Sequence, residues 1–210
     1  MERISLDGIS PPLMTNFSSL LLQGIKTEMA VIDCINNHSH SLLSHFAFGH
    51  LHAYLPKHPD TPFDILVEFG NDIRSIEVKS ADCGDKYPTF FAEIIQTASM
   101  GYAEYLVYSP NYIVYVDLPT NTHYWYNGDM FTSAVKARYT MRKPTRVNSE
   151  GVRFLKESEV FGFIGKIKPI PTLEDIVDKY SDEIEYRLHD RMQYHTAKVY
   201  KEAPFLPTLS

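Results

Sequence analysis

Asp64, Glu77 and Lys79 fall within one β-rich stretch, FDILVEFGNDIRSIEVKS, at residues 63–80. Side chains on a strand alternate between two faces. Phe63, Ile65, Val67 and Phe69 therefore share one face of a first strand, and Asp64, Leu66 and Glu68 the other. Gly70-Asn71 is a two-residue hairpin signal in which Gly accepts the positive φ of a II′ turn. That turn sets Phe63 opposite Val78 and Ile65 opposite Ile76, so the apolar faces match. The same register sets Asp64 opposite Glu77, with Lys79 one step along. Opposed Cβ atoms lie about 5 Å apart, and two carboxylates at that range repel each other. A divalent cation between them removes the repulsion, because hard ions such as Mg²⁺ favour carboxylate oxygens, backbone carbonyls and water. The same charges also suit a solvated edge hairpin, or a salt bridge in which Lys79 neutralises the pair.

A fourth charge joins this set from a helix. Residues 17–36 carry an apolar stripe, Leu21, Ile25, Ile32 and Ile35, and Glu28 sits in its middle. A carboxylate on a core-facing stripe needs a cation or metal partner, or a path to water, because burying it unpaired costs several kcal/mol. The stretch 37–58 contains six histidines, His38, His40, His45, His50, His52 and His58. HSH and HLH place two imidazoles on one strand face, so a histidine-based metal module is a competing reading. Asp60 is an alternative acidic ligand if the first strand begins earlier.

The elements that must position these residues follow from periodicity and punctuation. The spacing predicts the helix 17–36, the hairpin, and a helix from Pro88 to Met100 with Gly101 as its C-cap. EYLVYS and YIVYVDLP read as strands, and THYWYNGDM as a strand and turn. FTSAVKARYTM reads as a short helix, and EGVRFLKESEV and FGFIGKI as strands or loops. Pro169 and Pro171 introduce one long helix, 172–201, with the stripe Leu173, Ile176, Tyr180, Ile184, Leu188 and Met192. That helix packs on the domain or forms a dimer interface.

The chain has 210 residues and a formal net charge of −6, which on its face argues against nucleic acid. The charge is uneven. From Met130 to Lys156 there are seven basic residues and one acid, Glu150. A local basic surface binds phosphates even on an acidic protein. No apolar run reaches a membrane span, and the N-terminus lacks the apolar core of a signal peptide. Cys34 and Cys83, without metal-type spacing, fit a reducing cytoplasm.

A helix with a core-facing Glu, a hairpin with Asp and then Glu-x-Lys, a helix and a strand: this order resembles the PD-(D/E)xK, or restriction-endonuclease-like, nuclease superfamily. Glu28, Asp64 and EVK at 77–79 carry the resemblance, within residues 17–118. The Asp-to-Glu spacing of 13 positions is most similar to junction resolvases and small restriction enzymes. The literal Pro-Asp is Pro59-Asp60. The Gln-x-x-x-Tyr of some relatives is absent, since Met100 follows Gln96 by four.

The resemblance implies an α/β fold: an αββαβ core whose central mixed sheet is flanked by helices. It would occupy a domain at 1–168, with 169–210 a C-terminal helical extension. It implies a Mg²⁺-dependent DNA endonuclease, with Mn²⁺ as a substitute, leaving 5′-phosphate and 3′-hydroxyl ends on duplex or branched DNA. Asp64, Glu77, the Val78 carbonyl and Glu28 would serve the metal, and Lys79 the attacking water. Lys86 and Tyr87 in the next loop, with Lys136, Arg138, Arg142, Lys143 and Arg146, are candidates for the DNA backbone. A homodimer suits duplex symmetry, and a phage or restriction system suits a small acidic nuclease. The alternative is a nuclease-fold protein that binds nucleic acid or a protein partner without cutting.

Overall fold

The computed structural model describes residues 11–38, 51–58, 61–82, 89–96, 101–140, 150–157 and 162–202. Helix α1 runs Pro11–His38, longer than the 17–36 that the stripe predicts. From Ile25 to Ile35 it is buried almost all round, with Met29, Val31 and Cys34 enclosed as fully as Ile25 and Ile35. The cause is packing on two sides: against the sheet strands β1 (Leu51–Tyr54) and β3 (Asp72–Ala81), and against two C-terminal helices, α4 (Leu173–Lys179) and α5 (Ser181–Glu202).

A six-stranded mixed sheet forms the central layer. Its order is β1, β2 (Ile65–Phe69), β3, β6 (Tyr112–Asp117), β7 (Thr122–Asn127) and β9 (Phe163–Ile167). Only β3 and β6 pair in parallel; the other neighbours are antiparallel. One face carries Ile65, Val67, Ile76, Val78, Val114, Val116 and Trp125 into a core shared with α1, α4 and α5. The opposite face carries Ile113, Tyr115, Tyr124 and Tyr126 into an aromatic core. That second core is closed by α3 (Gly128–Thr140) and a three-stranded sheet, β5 (Gly101–Tyr102), β4 (Thr89–Gln96) and β8 (Glu150–Leu155). Phe90 stacks on Tyr115 at 4.6 Å between ring centroids and meets Phe154 edge-on. Both faces of the main sheet are thus covered, as a strand run such as YIVYV requires.

Three elements differ from the sequence expectation. The described part of the span 88–100 is the strand β4, not a helix. Phe90, Ala92 and Ile94 are buried while Phe91 is exposed, a period of two that tertiary burial enforces over the Pro and Gly end signals. EYLVYS is the short helix α2 (Glu104–Tyr108), not a strand: adjacent Tyr105 and Leu106 are buried while Val107 and Tyr108 are exposed. Ser109, at φ 47°, ends α2. The terminal helix is broken at Tyr180 into α4 and α5.

A Thr172–Asp175 capping box starts α4, two residues after the predicted Pro169–Pro171 entry. The C-terminal helices dock on α1 through polar contacts as well as apolar ones. The buried Asp33 accepts from Lys179 Nζ at 2.6 Å and Tyr180 Oη at 2.8 Å, beside the buried Ile176 and Ile184. Among the described residues, no helix is long and apolar enough to cross a membrane.

Candidate active site

The β2–β3 hairpin has the register read from the sequence. Ile65 pairs with Ile76 and Phe69 with Asp72 around Gly70, whose φ is +60°. Asp64 precedes β2, and its N–H donates at 3.1 Å to the carbonyl oxygen of Ile76, the residue already paired with Ile65, so the regular ladder ends at Ile65. The Asp64 Oδ2 accepts the Val78 N–H at 2.7 Å. That bond fixes the carboxylate against the strand that bears Glu77 and Lys79.

Glu77 and Lys79 point away from α1, on the face whose β6 neighbours are Ile113 and Tyr115. Glu77 is 7% exposed, and Lys79 Nζ donates to its Oε1 at 2.5 Å. The Lys79 side chain keeps 28% exposure, with its ammonium 5.4 Å from the ring centroid of Tyr105. The Tyr105 hydroxyl donates to Glu93 O, so α2 and β4 together hold this ring in place. Glu28, 4% exposed on α1, interacts with Asp64 and Glu77 through their charges. Arg191 of α5 grips it from both ends, Nη1 to Oε1 at 2.8 Å and Nη2 to Oε2 at 2.6 Å.

The charges act on one another as a unit. Burial first, and Asp64 second, push the Glu77 carboxyl up to about 7, with Lys79 holding it back. Burial and then Asp64 push Glu28 up to about 8, against the pull of Arg191. Burial works against the Lys79 ammonium, but Glu77 and Asp64 outweigh it and raise its pKa, so it stays charged. Two buried carboxyls raised beside the charge of Asp64 are an arrangement that a bound cation relieves.

The donor set fits such an ion in a limited form. Among the described residues, no three His, Cys, Asp or Glu side chains converge closely enough to cage a metal. With Glu28 engaged by Arg191, two carboxylates remain as candidate ligands, Asp64 and Glu77. Mg²⁺ commonly takes one or two carboxylates and fills its other positions with water and phosphate oxygens.

Two cavities flank the centre. A cleft of about 230 Å³ is lined by Asp64, Glu104, Arg187, Arg191, Tyr194 and His58, among others. A second, of about 410 Å³, is lined by Lys79, Thr89, Phe91, Glu93, Tyr115 and Arg153, among others.

The remaining sequence candidates are scattered. Lys136 and Arg138 lie on α3 and line neither cavity. Lys86, Tyr87, Arg142, Lys143, Arg146 and the alternative ligand Asp60 lie outside the described residues. Lys156, counted in the basic stretch, is buried and pairs with Asp117 at 2.6 Å, so it does not face a backbone phosphate. Of the histidines, His40, His45 and His50 lie outside the described residues, His52 stacks on Tyr54, and His58 lines the cleft.

Sequence reasoning missed Arg191, Glu104 and Tyr105. Arg191 stands four residues after Arg187, beside the Leu188–Met192 stripe; this placed it on α5 but not against a residue 163 positions away. Comparison of the chain with protein-family models, with curated proteins and with solved structures gave no match in any of the three.

Proposed function

We propose that this chain is a Mg²⁺-dependent endonuclease of the PD-(D/E)xK kind, hydrolysing phosphodiester bonds in DNA to 5′-phosphate and 3′-hydroxyl ends. The observation that carries the proposal is that Asp64, tied to the Val78 N–H, and the Glu77–Lys79 pair share one hairpin, with the buried Glu28 of α1 acting on the two carboxylates electrostatically. On this reading α1, β2, β3, α2 and β6 would form the αββαβ core, and β1, β4 and β5 would be additions to it.

Asp64 and Glu77 would hold the ion, with the Val78 carbonyl as a further ligand and Mn²⁺ as a substitute. When bound there, such an ion would polarise the scissile phosphate and supply a more acidic water. Lys79 keeps its positive charge, orients the attacking water and stabilises charge developing on the phosphate oxygens. Arg191 grips the Glu28 carboxyl at both oxygens and orients it. For duplex DNA, a homodimer would bring one such centre to each strand.

One observation favours a second reading. Glu28 is matched by Arg191 and Glu77 by Lys79, a charge network that closes without a metal. On that reading the protein binds nucleic acid or a protein and cuts nothing. The test is cleavage of supercoiled plasmid, linear duplex, single strand, four-way junction and RNA in Mg²⁺ or Mn²⁺, by wild type beside Glu77→Ala. Cutting by wild type alone supports the nuclease. A folded wild type that binds nucleic acid but cuts none of the panel supports the second reading.

A further inference from the structure

The larger cavity has a feature that catalysis at the carboxylates does not use. On β4 and β8, Phe91 is paired across the ladder with Arg153, and Glu93 with Gly151. Directly opposed residues share a face, and this face is the outer one, opposite the buried Phe90, Ala92, Val152 and Phe154. The Phe91 ring lies across Gly151: a Cβ on Gly151 would fall 2.5 Å from Phe91 Cζ. The missing side chain thus lets the ring lie flat against the strand. Even so, Phe91 remains 41% exposed, and the Arg153 guanidinium stands 5.8 Å from its centroid. Phe91 and Arg153 thus form an open aromatic–cation pair on the outer face.

This platform lines the same cavity as Lys79, whose ammonium touches Glu77. At about 410 Å³ the cavity is within the range of roughly 300–1,000 Å³ typical of small-ligand sites. Resting on the nuclease reading of the Lys79 centre, we propose that Phe91 and Arg153 form a stacking site for an unpaired nucleobase next to the scissile phosphate. The preferred substrate is then single-stranded or locally unpaired nucleic acid.

The chemistry of the walls supports a base rather than a second phosphate. Aromatic rings and guanidinium planes stack any base with little sequence preference, and only a splayed base presents its face to them. Glu93 on the same wall repels a phosphate but accepts from an exocyclic amine. Lys79 and Arg153 draw the backbone to the rim, so that a nucleotide with its phosphate by Lys79 has its base directed at Phe91.

The test is fluorescence of a short single-stranded DNA carrying one 2-aminopurine, titrated with protein in Ca²⁺, against the matching duplex. Wild type, Phe91→Ala and Phe91→Tyr are compared, with circular dichroism as the check of folding. The expected result is quenching and single-strand binding by wild type, about tenfold weaker binding with lost quenching in Phe91→Ala, and recovery in Phe91→Tyr. Equal binding and quenching by wild type and Phe91→Ala overturn the stacking site and leave the nuclease reading standing. Quenching that depends on Phe91 in a protein that cuts nothing in Mg²⁺ or Mn²⁺ keeps the stacking site and removes the nuclease reading. No binding of either DNA by folded wild type overturns both.

Discussion

Replacing Arg191 by Ala removes the only group seen to neutralise Glu28 among the described residues. Breaking a fully buried ion pair costs about 3–5 kcal/mol, because the surviving charge is left without compensation. Two features lower the figure here. The Arg191 side chain retains 22% exposure. Glu28 can also take up a proton, since burial and Asp64 already hold its pKa up at about 8.

Without Arg191 that pKa rises further, so the variant binds a proton at Glu28 through neutral pH. A group whose folded pKa lies above its unfolded value stabilises most below the unfolded pKa and loses that stability as pH climbs through the folded one. In wild type this loss spans the interval from 4.5 to about 8. In the variant it continues above 8, at up to about 1.4 kcal/mol per unit of additional shift. We therefore expect a deficit of roughly 1–2 kcal/mol near pH 6 that widens by about 1–2 kcal/mol near pH 9. For a chain of this length each kcal/mol moves Tm by about 2–4 °C.

Thermal melts of wild type, Arg191→Ala, Glu28→Gln and the double variant across this pH range supply both the gap and the coupling energy. A gap between wild type and Arg191→Ala that is the same at every pH, or a coupling near zero, would refute the electrostatic reasoning.

Lys79→Ala should reduce cleavage by about 10²–10³-fold. It should also move the rise of the pH–rate profile upward, because Lys79 restrains a Glu77 carboxyl already at about 7; an unmoved profile would show that Glu77 ionisation does not limit the reaction. Gly151→Ala places a Cβ 2.3 Å from Ala92 O, a backbone atom, so β4 and β8 must part; a Tm loss worth about 2 kcal/mol or more is expected in calorimetry. Lys156→Ala removes the cation paired with the buried Asp117, leaving the Thr120 hydroxyl on the same carboxylate, and should cost about 3 kcal/mol in urea unfolding, while any effect on DNA affinity should follow the folded fraction alone.

The parts of this protein most legible in the sequence were those set by local periodicity. The hairpin register follows from two matched alternating runs and a Gly-Asn turn, and Ile65 pairs with Ile76 as those runs predict. Glu28 was visible because a charge interrupts an apolar stripe. The element after the hairpin was not legible. TFFAEIIQ supports either period, and its strand form is decided by pairing with β8, more than fifty residues away. The Arg191 contact is non-local in the same way: its position on α5 could be read, but its partner on α1 depends on how α5 docks. The break at Tyr180 has a tertiary contribution too, since its hydroxyl and Lys179 both reach back to Asp33.

The central claim is that Asp64 and Glu77 form a cation site and are not merely balanced by Lys79 and Arg191. Electron paramagnetic resonance of Mn²⁺ titrated with wild type and Asp64→Asn tests it most directly. The account predicts a weak, exchangeable bound ion in wild type that Mg²⁺ displaces and Asp64→Asn abolishes. Absence of bound Mn²⁺ in folded wild type, or equal binding by Asp64→Asn, would contradict it.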